Sequence, residues 1–150
     1  MNISSSIATT ISLIVVVNVS VSIVNTAFAQ QKKSVWDGVY TEIQANRGAT
    51  LYNENCAICH GPELAGADMS PGLVQGAFIY NWDGSTVGDL FQRIRNTMPL
   101  ALPKSVPRKV KADILAFIMQ KNNFPAGKQE LSYKTRELHQ ITWDAQNPSP

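Results

Sequence analysis

Apolar residues recur at three- and four-residue intervals in two stretches of this chain, and those stretches predict its best-defined helices. Val87, Leu90, Phe91, Ile94 and Met98 form one stripe, with Thr86 in place as N-cap and Asp89 three residues beyond it. Val110, Ile114, Phe117 and Ile118 form the other, starting near Pro107, which suits the first helical position, and running to about Asn122 before Pro125 and Gly127 end it. A further helix is signalled by its start: Thr41-Glu42-Ile43-Gln44 fits a capping box, in which the Thr hydroxyl and the Gln side chain serve opposite ends of the first turn. That helix, from about 42 to 55, places Gly48 and Tyr52 on one face. With no side chain at Gly48 another backbone can come close, and Phe117 is a suitable partner for this face. No stretch alternates with the period of a strand and no repeat is visible, so the predicted fold class is all-α.

Residues 61–84 break the helical pattern with several Gly and Pro and only scattered apolar positions. A loop this long in a compact domain needs a specific job. Covering a large apolar cofactor is such a job, and it would supply the core that three short helices cannot build alone. Beyond the last helix, Leu131, Leu138 and Ile141 would lay the segment from about 128 to 150 along the body, with Asn147-Pro148-Ser149-Pro150 frayed.

Residues 1–29 contain no Asp, Glu, Lys, Arg or His. The apolar run Ile11–Val24 has 14 residues, against about 20 for a membrane-spanning helix. Ala27-Phe28-Ala29 places small residues where a signal peptidase reads them, so 1–29 is expected to be an export signal and 30–150 a single domain. The alternative is an uncleaved anchor, since Met1-Asn2-Ile3 lacks a basic residue. The formal net charge of +2 is far from the balance of a nucleic-acid binder. Export also places two cysteines in an oxidising compartment, where a disulfide, a metal or a covalent cofactor should consume them.

Both cysteines and one of the two histidines fall in Asn55-Cys56-Ala57-Ile58-Cys59-His60-Gly61. Cys-x-x-Cys-His is the attachment signature of c-type haem. Two thiols three residues apart on one turn can add to the two vinyl groups of the haem, forming thioethers at Cys56 and Cys59, and His60 becomes the fifth iron ligand. The sixth is commonly a Met thioether. Met98 is the candidate, because Pro99 stops its helix and frees the side chain. Met69 follows His60 too closely in the loop, and Met119 inside the last helix reads as core filler. A thiol–disulfide exchanger would want a βαβ setting, and a structural zinc would want four ligands where His139 is the only other histidine. His139 itself reads as an exposed helix residue.

With these residues in view, the chain resembles a class I monohaem cytochrome c over about residues 41–122. The resemblance is carried by Gly48-x-x-x-Tyr52, Cys56–Gly61, Thr97-Met98-Pro99 and Phe117. More narrowly, Asn81-Trp82-x-Gly84, Val87-x-Asp89-Leu90-Phe91 and Asn123-Phe124-Pro125-Ala126-Gly127 resemble cytochrome c modules that accept electrons from quinoprotein (PQQ) dehydrogenases. Val106-Pro107-Arg108-Lys109-Val110-Lys111 departs from them in being basic where an acidic helix start is expected. The resemblance implies a small cytochrome c fold of three main helices and long loops around one covalently attached haem c. It also implies that Pro71 offers its carbonyl to the His60 ring, unless it is a simple turn proline. Trp82 would send its indole N–H to a haem propionate or else only pack in the loop. Leu64, Leu73, Phe91, Ile94 and Leu102 are candidate haem walls or ordinary core. Lys104, Arg108, Lys109 and Lys111 would steer an acidic partner or be a solvated helix start. The expected function is a periplasmic one-electron carrier, with no substrate chemistry and no membrane span in its mature form. Its donor would be a quinoprotein dehydrogenase and its acceptor a respiratory oxidase or another cytochrome. The alternative is a haem enzyme or gas-binding protein with an open sixth coordination site.

Overall fold

The computed structural model describes residues 32–68 and 70–148; the expected export signal, Met69 and the last two residues lie outside them. Helices α1 (Glu42–Asn55), α2 (Ala57–His60), α3 (Gly76–Asn81), α4 (Val87–Thr97), α5 (Arg108–Lys121) and α6 (Thr135–Leu138) make the described chain all-α. The exceptions are two isolated bridges and one parallel pair of two-residue strands, β1 (Lys33–Ser34) with β2 (Ile141–Thr142), too short for any sequence period to show.

Side-chain caps set the starts of α1 and α4, and two helix starts depart from expectation. Thr41 caps α1 by accepting from the Gln44 backbone N–H, but the Gln44 side chain does not close a capping box. It is buried, donates to Asp113 Oδ1 and Leu131 O, each at 3.0 Å, and accepts from Leu131 N. On the buried face of α1 its amide finds full satisfaction only from tertiary partners. Thr86 and Asp89 do close a capping box on α4. Pro107 stands as the N-cap of α5 with extended backbone, one position earlier than expected, and its carbonyl accepts from Lys111 N at 3.0 Å.

α1 and α5 cross at Gly48, where a Cβ would overlap the Asp113 carbonyl. Tyr52 and Phe117 pack beside the crossing with ring centroids 5.5 Å apart. On the other side of Gly48, Arg47 grips Asp113 with two bonds of 2.7 and 2.8 Å and reaches Glu130 at 2.9 Å. The core has two parts. One joins Val35, Tyr40, Phe91, Leu115, Met119 and Trp143; the other joins Tyr52, Leu64, Ile114, Phe117 and Ile118 under the Cys-x-x-Cys-His turn.

The C-terminal segment does lie along the body, with Leu131, Leu138 and Ile141 buried. Its strongest anchor is one the apolar pattern did not single out. Trp143 is fully buried, meets Phe124 and Phe78 edge-on at 5.0 and 5.8 Å, and donates its indole N–H to Ile79 O. Its backbone also pairs with Gly84 and Ser85. Residues 61–84 are accordingly not all loop: α3 forms there, a helix too short to register as a periodic stripe.

Candidate cofactor site

α1 passes directly into α2 at Cys56, whose N–H donates to Tyr52 O at 2.8 Å. Cys59 and His60 both return their N–H groups to Cys56 O, at 3.1 and 3.0 Å, so the two thiols and the imidazole share one helical turn. Gly61, at φ +76°, then turns the chain, and its carbonyl is held by the Tyr52 hydroxyl at 2.7 Å. Gly66 lies so close to Ser70, Pro71 and Gly72 that a Cβ would strike their backbone, and this approach brings the Pro71 carbonyl to the histidine. The distance from His60 Nδ1 to Pro71 O is 2.8 Å. A carbonyl only accepts, so Nδ1 carries the proton and Nε2 keeps its lone pair for a metal.

His60, Cys56, Cys59 and Met98 all line one cavity of about 970 Å³, the upper end of the roughly 300–1,000 Å³ range of cofactor sites. Met98 reaches it as the C-cap of α4, in extended backbone and joined to Pro99 by a cis peptide. Met119 is fully buried in the core. Leu90 and Ile94 of α4 and Ile114 and Ile118 of α5 line the cavity, and Leu73, Val74 and Phe78 add to the apolar surface. Asn122, buried at the end of α5, fixes that last part by donating to Leu73 O at 2.9 Å and accepting from Gln75 N at 2.8 Å. Trp82 lines the cavity half-buried, and its indole N–H has no partner among the described residues.

Three of the wall candidates do not line the cavity, and for Leu64 and Phe91 the alternative of ordinary core holds. Leu64 and Phe91 are fully buried core, because they sit under the turn and on the inner side of α4; Leu102 is 68 % exposed in a neighbouring groove. Leu90, Ile114 and Ile118 take their place, and the signal was present as i, i+4 pairs on two stripes whose convergence only the packing reveals.

Lys111 also differs from expectation. Lys104, Arg108 and Lys109 are exposed, but Lys111 is 2 % exposed and cannot meet a partner. Its Nζ donates to Pro103 O at 2.6 Å, with longer bonds to Arg95 O at 3.3 Å and Ile94 O at 3.4 Å. Desolvation pulls its pKa below the ordinary lysine value. Burial pushes the Cys56 thiol up to about 11, the opposite of the depressed value a thiol–disulfide exchanger uses. His139 is partly buried and remote from the cavity, with Nδ1 2.8 Å from Thr86 Oγ1. Among the described residues no three His, Cys, Asp or Glu side chains cluster to hold a metal ion.

Two thiols on one turn, an imidazole with Nδ1 tied, a thioether and apolar walls together fit haem c. The family model described as cytochrome c oxidase, cbb3-type, subunit III matches residues 43–118. The chain belongs to that family. It is a class I cytochrome c domain of the cbb3-type subunit III kind, which implies haem c as cofactor and electron transfer as its role. A 90-residue stretch is 33 % identical to the cbb3-type cytochrome c oxidase subunit CcoP of Azospirillum brasilense, covering 56 % of this chain and 30 % of that subunit. The chain therefore corresponds to under a third of the length of that relative. No solved structure matches. Among the described residues no helix is long and apolar enough to cross a membrane.

Proposed function

We propose that this cytochrome c domain is a one-electron carrier in an exported, periplasmic setting, with one haem c bound through thioethers to Cys56 and Cys59 and ligated by His60 and Met98. The observation that carries this reading is the convergence of His60, Met98 and both thiols on a single apolar cavity. Haem supplies the ferric/ferrous couple when bound, at a potential that a Met ligand raises. The protein's part is to hold and insulate. Pro71 orients His60 through Nδ1, the turn at Cys56 presents both thiols side by side, and the apolar walls of α4 and α5 keep water from the site. The free indole N–H of Trp82 is available to a propionate. His60 and Met98 would together leave haem iron no open site, which would disfavour oxygen and peroxide chemistry and favour a carrier over an enzyme or gas binder.

A cbb3-type oxidase is the proposed electron acceptor, supported by the family and by the subunit CcoP that the chain resembles. A quinoprotein dehydrogenase as donor rests on the Asn81–Gly84, Val87–Phe91 and Asn123–Gly127 motifs alone. Exposed Lys104, Arg108 and Lys109 are suited to meeting an acidic partner, and the uncharged first 29 residues support export.

The test is to express the chain with a haem-ligation system and record oxidised and reduced visible spectra of the native protein and of Met98→Ala. The native protein should show a c-type reduced spectrum and the red thioether-to-iron band, and Met98→Ala should lose that band. An unchanged band in the variant removes Met98 from the iron, and a native protein that binds carbon monoxide readily brings the enzyme and gas-binding readings forward.

A further inference from the structure

We infer that Lys111 is the positioning residue of the Met98 ligand, a buried cation that clamps both arms of the loop carrying it. The inference rests on the His60/Met98 reading above.

The loop from Met98 to Ser105 has little to hold it. Its own hydrogen bonds are local turns, Leu102 N to Pro99 O and Ser105 N to Leu102 O, while Pro99 and Pro103 have no N–H to offer. Among the described residues, the only side chain from outside the loop that hydrogen-bonds to it is Lys111. An ammonium has three donors, and here they meet three carbonyls. Ile94 O and Arg95 O lie in the last turn of α4, where carbonyls run short of intrahelical partners and can take a further donor, and Pro103 O lies on the returning arm. Ile94 O also accepts the backbone N–H of Met98 at 3.0 Å, so one carbonyl links the clamp to the ligand residue itself. The positive charge complements the negative end of the α4 dipole.

A lysine is almost never this buried without a partner that requires it, because taking an ammonium out of water is costly. An apolar side chain at 111 would fill the first turn of α5 more cheaply and leave all three carbonyls without the cation. Lys111 also lines the cofactor cavity, so its charge opposes the extra positive charge of oxidised iron and favours the reduced state. One residue thus limits how far Met98 can swing away and biases the couple towards reduction.

The experiment compares haem-loaded native protein, Lys111→Met and Lys111→Arg, using imidazole to compete with the sixth ligand of the ferric form. Loss of the clamp should raise the apparent imidazole affinity of Lys111→Met by about ten-fold or more, a change of about 1.4 kcal/mol. It should also lower the reduction potential and weaken the red band. Lys111→Arg, which keeps charge and donors, should restore potential and affinity most of the way. Unchanged affinity and potential in Lys111→Met, with only stability reduced, would mark a purely structural lysine and overturn the inference, as would Lys111→Arg behaving like Lys111→Met. If Lys111→Met does not mature with haem, Lys111→Gln is read by the same criteria. Met98→Ala in parallel separates the two levels: if it keeps the red band the ligand reading fails, and if it loses the band while the Lys111 variants match native protein the clamp alone fails.

Discussion

Replacing Trp143 tests whether the C-terminal segment, which lies beyond the residues matched by the family model, is part of the folded unit that builds the cavity. The side chain is fully buried and meets Phe124 and Phe78 edge-on, and Phe78 lines the cavity. Trp143→Ala removes the indole and leaves a cavity between two rings, which costs about 3–5 kcal/mol for a Trp or Phe truncation in a packed core. It also strips Ile79 O of its indole donor, a hydrogen bond of about 1 kcal/mol that is already contained in the upper half of that range. Trp143→Phe separates the two effects, because it keeps most of the apolar volume and loses only the N–H and part of the ring, for a cost of about 1–2 kcal/mol. For a domain of this size each kcal/mol moves the midpoint by roughly 3–5 °C, so Trp143→Ala should melt roughly 9–25 °C below native protein. Thermal and urea unfolding of the haem-loaded proteins, followed by far-UV circular dichroism, measures both variants. A loss under about 1 kcal/mol for Trp143→Ala would mean that the segment is laid on loosely and that the wall at Phe78 stands without it.

Two further perturbations probe the frame around the site. Gly48→Ala should gain about 1 kcal/mol of helix propensity and lose about 3 kcal/mol to overlap with the Asp113 carbonyl, a net loss of about 2 kcal/mol read from the urea midpoint; a neutral or stabilised variant would refute the close crossing of α1 and α5. Hydrogen bonds from the Thr86 side chain and backbone hold the Asp89 carboxyl below its ordinary value of 3.8. With the folded-state pKa depressed, this stabilisation is complete above 3.8 and fades as the pH falls below it. Asp89→Asn should therefore be less stable than native protein at neutral pH, and the gap should narrow towards about pH 3; a gap independent of pH would show that the carboxylate charge is not what caps α4.

Local chemistry was enough to define α1, α4 and α5 and the turn from Cys56 to His60. Thr41 and Thr86 begin α1 and α4 because a hydroxyl caps the orphan N–H groups next to it, and Cys56, Cys59 and His60 share a turn because of their spacing. Helical stripes likewise placed Gly48 against α5, since a missing side chain on a regular face means the same thing in any helix. What the sequence left undecided depends on residues distant along the chain. The side chain of Gln44 abandoned its local cap for Asp113 and Leu131, 69 and 87 positions away, because burial demands partners that only packing provides. Phe91 became core while its neighbour Leu90, with Ile114 and Ile118, became cavity wall, a choice between sides of an apolar stripe that depends on where the stripes meet. Lys111 makes the point most sharply. Its sequence neighbours Arg108 and Lys109 are exposed and its charge suggests the same, yet the end of α4 and the return of the Met98 loop surround it with carbonyls, and that enclosure exists only once α4 and α5 have packed.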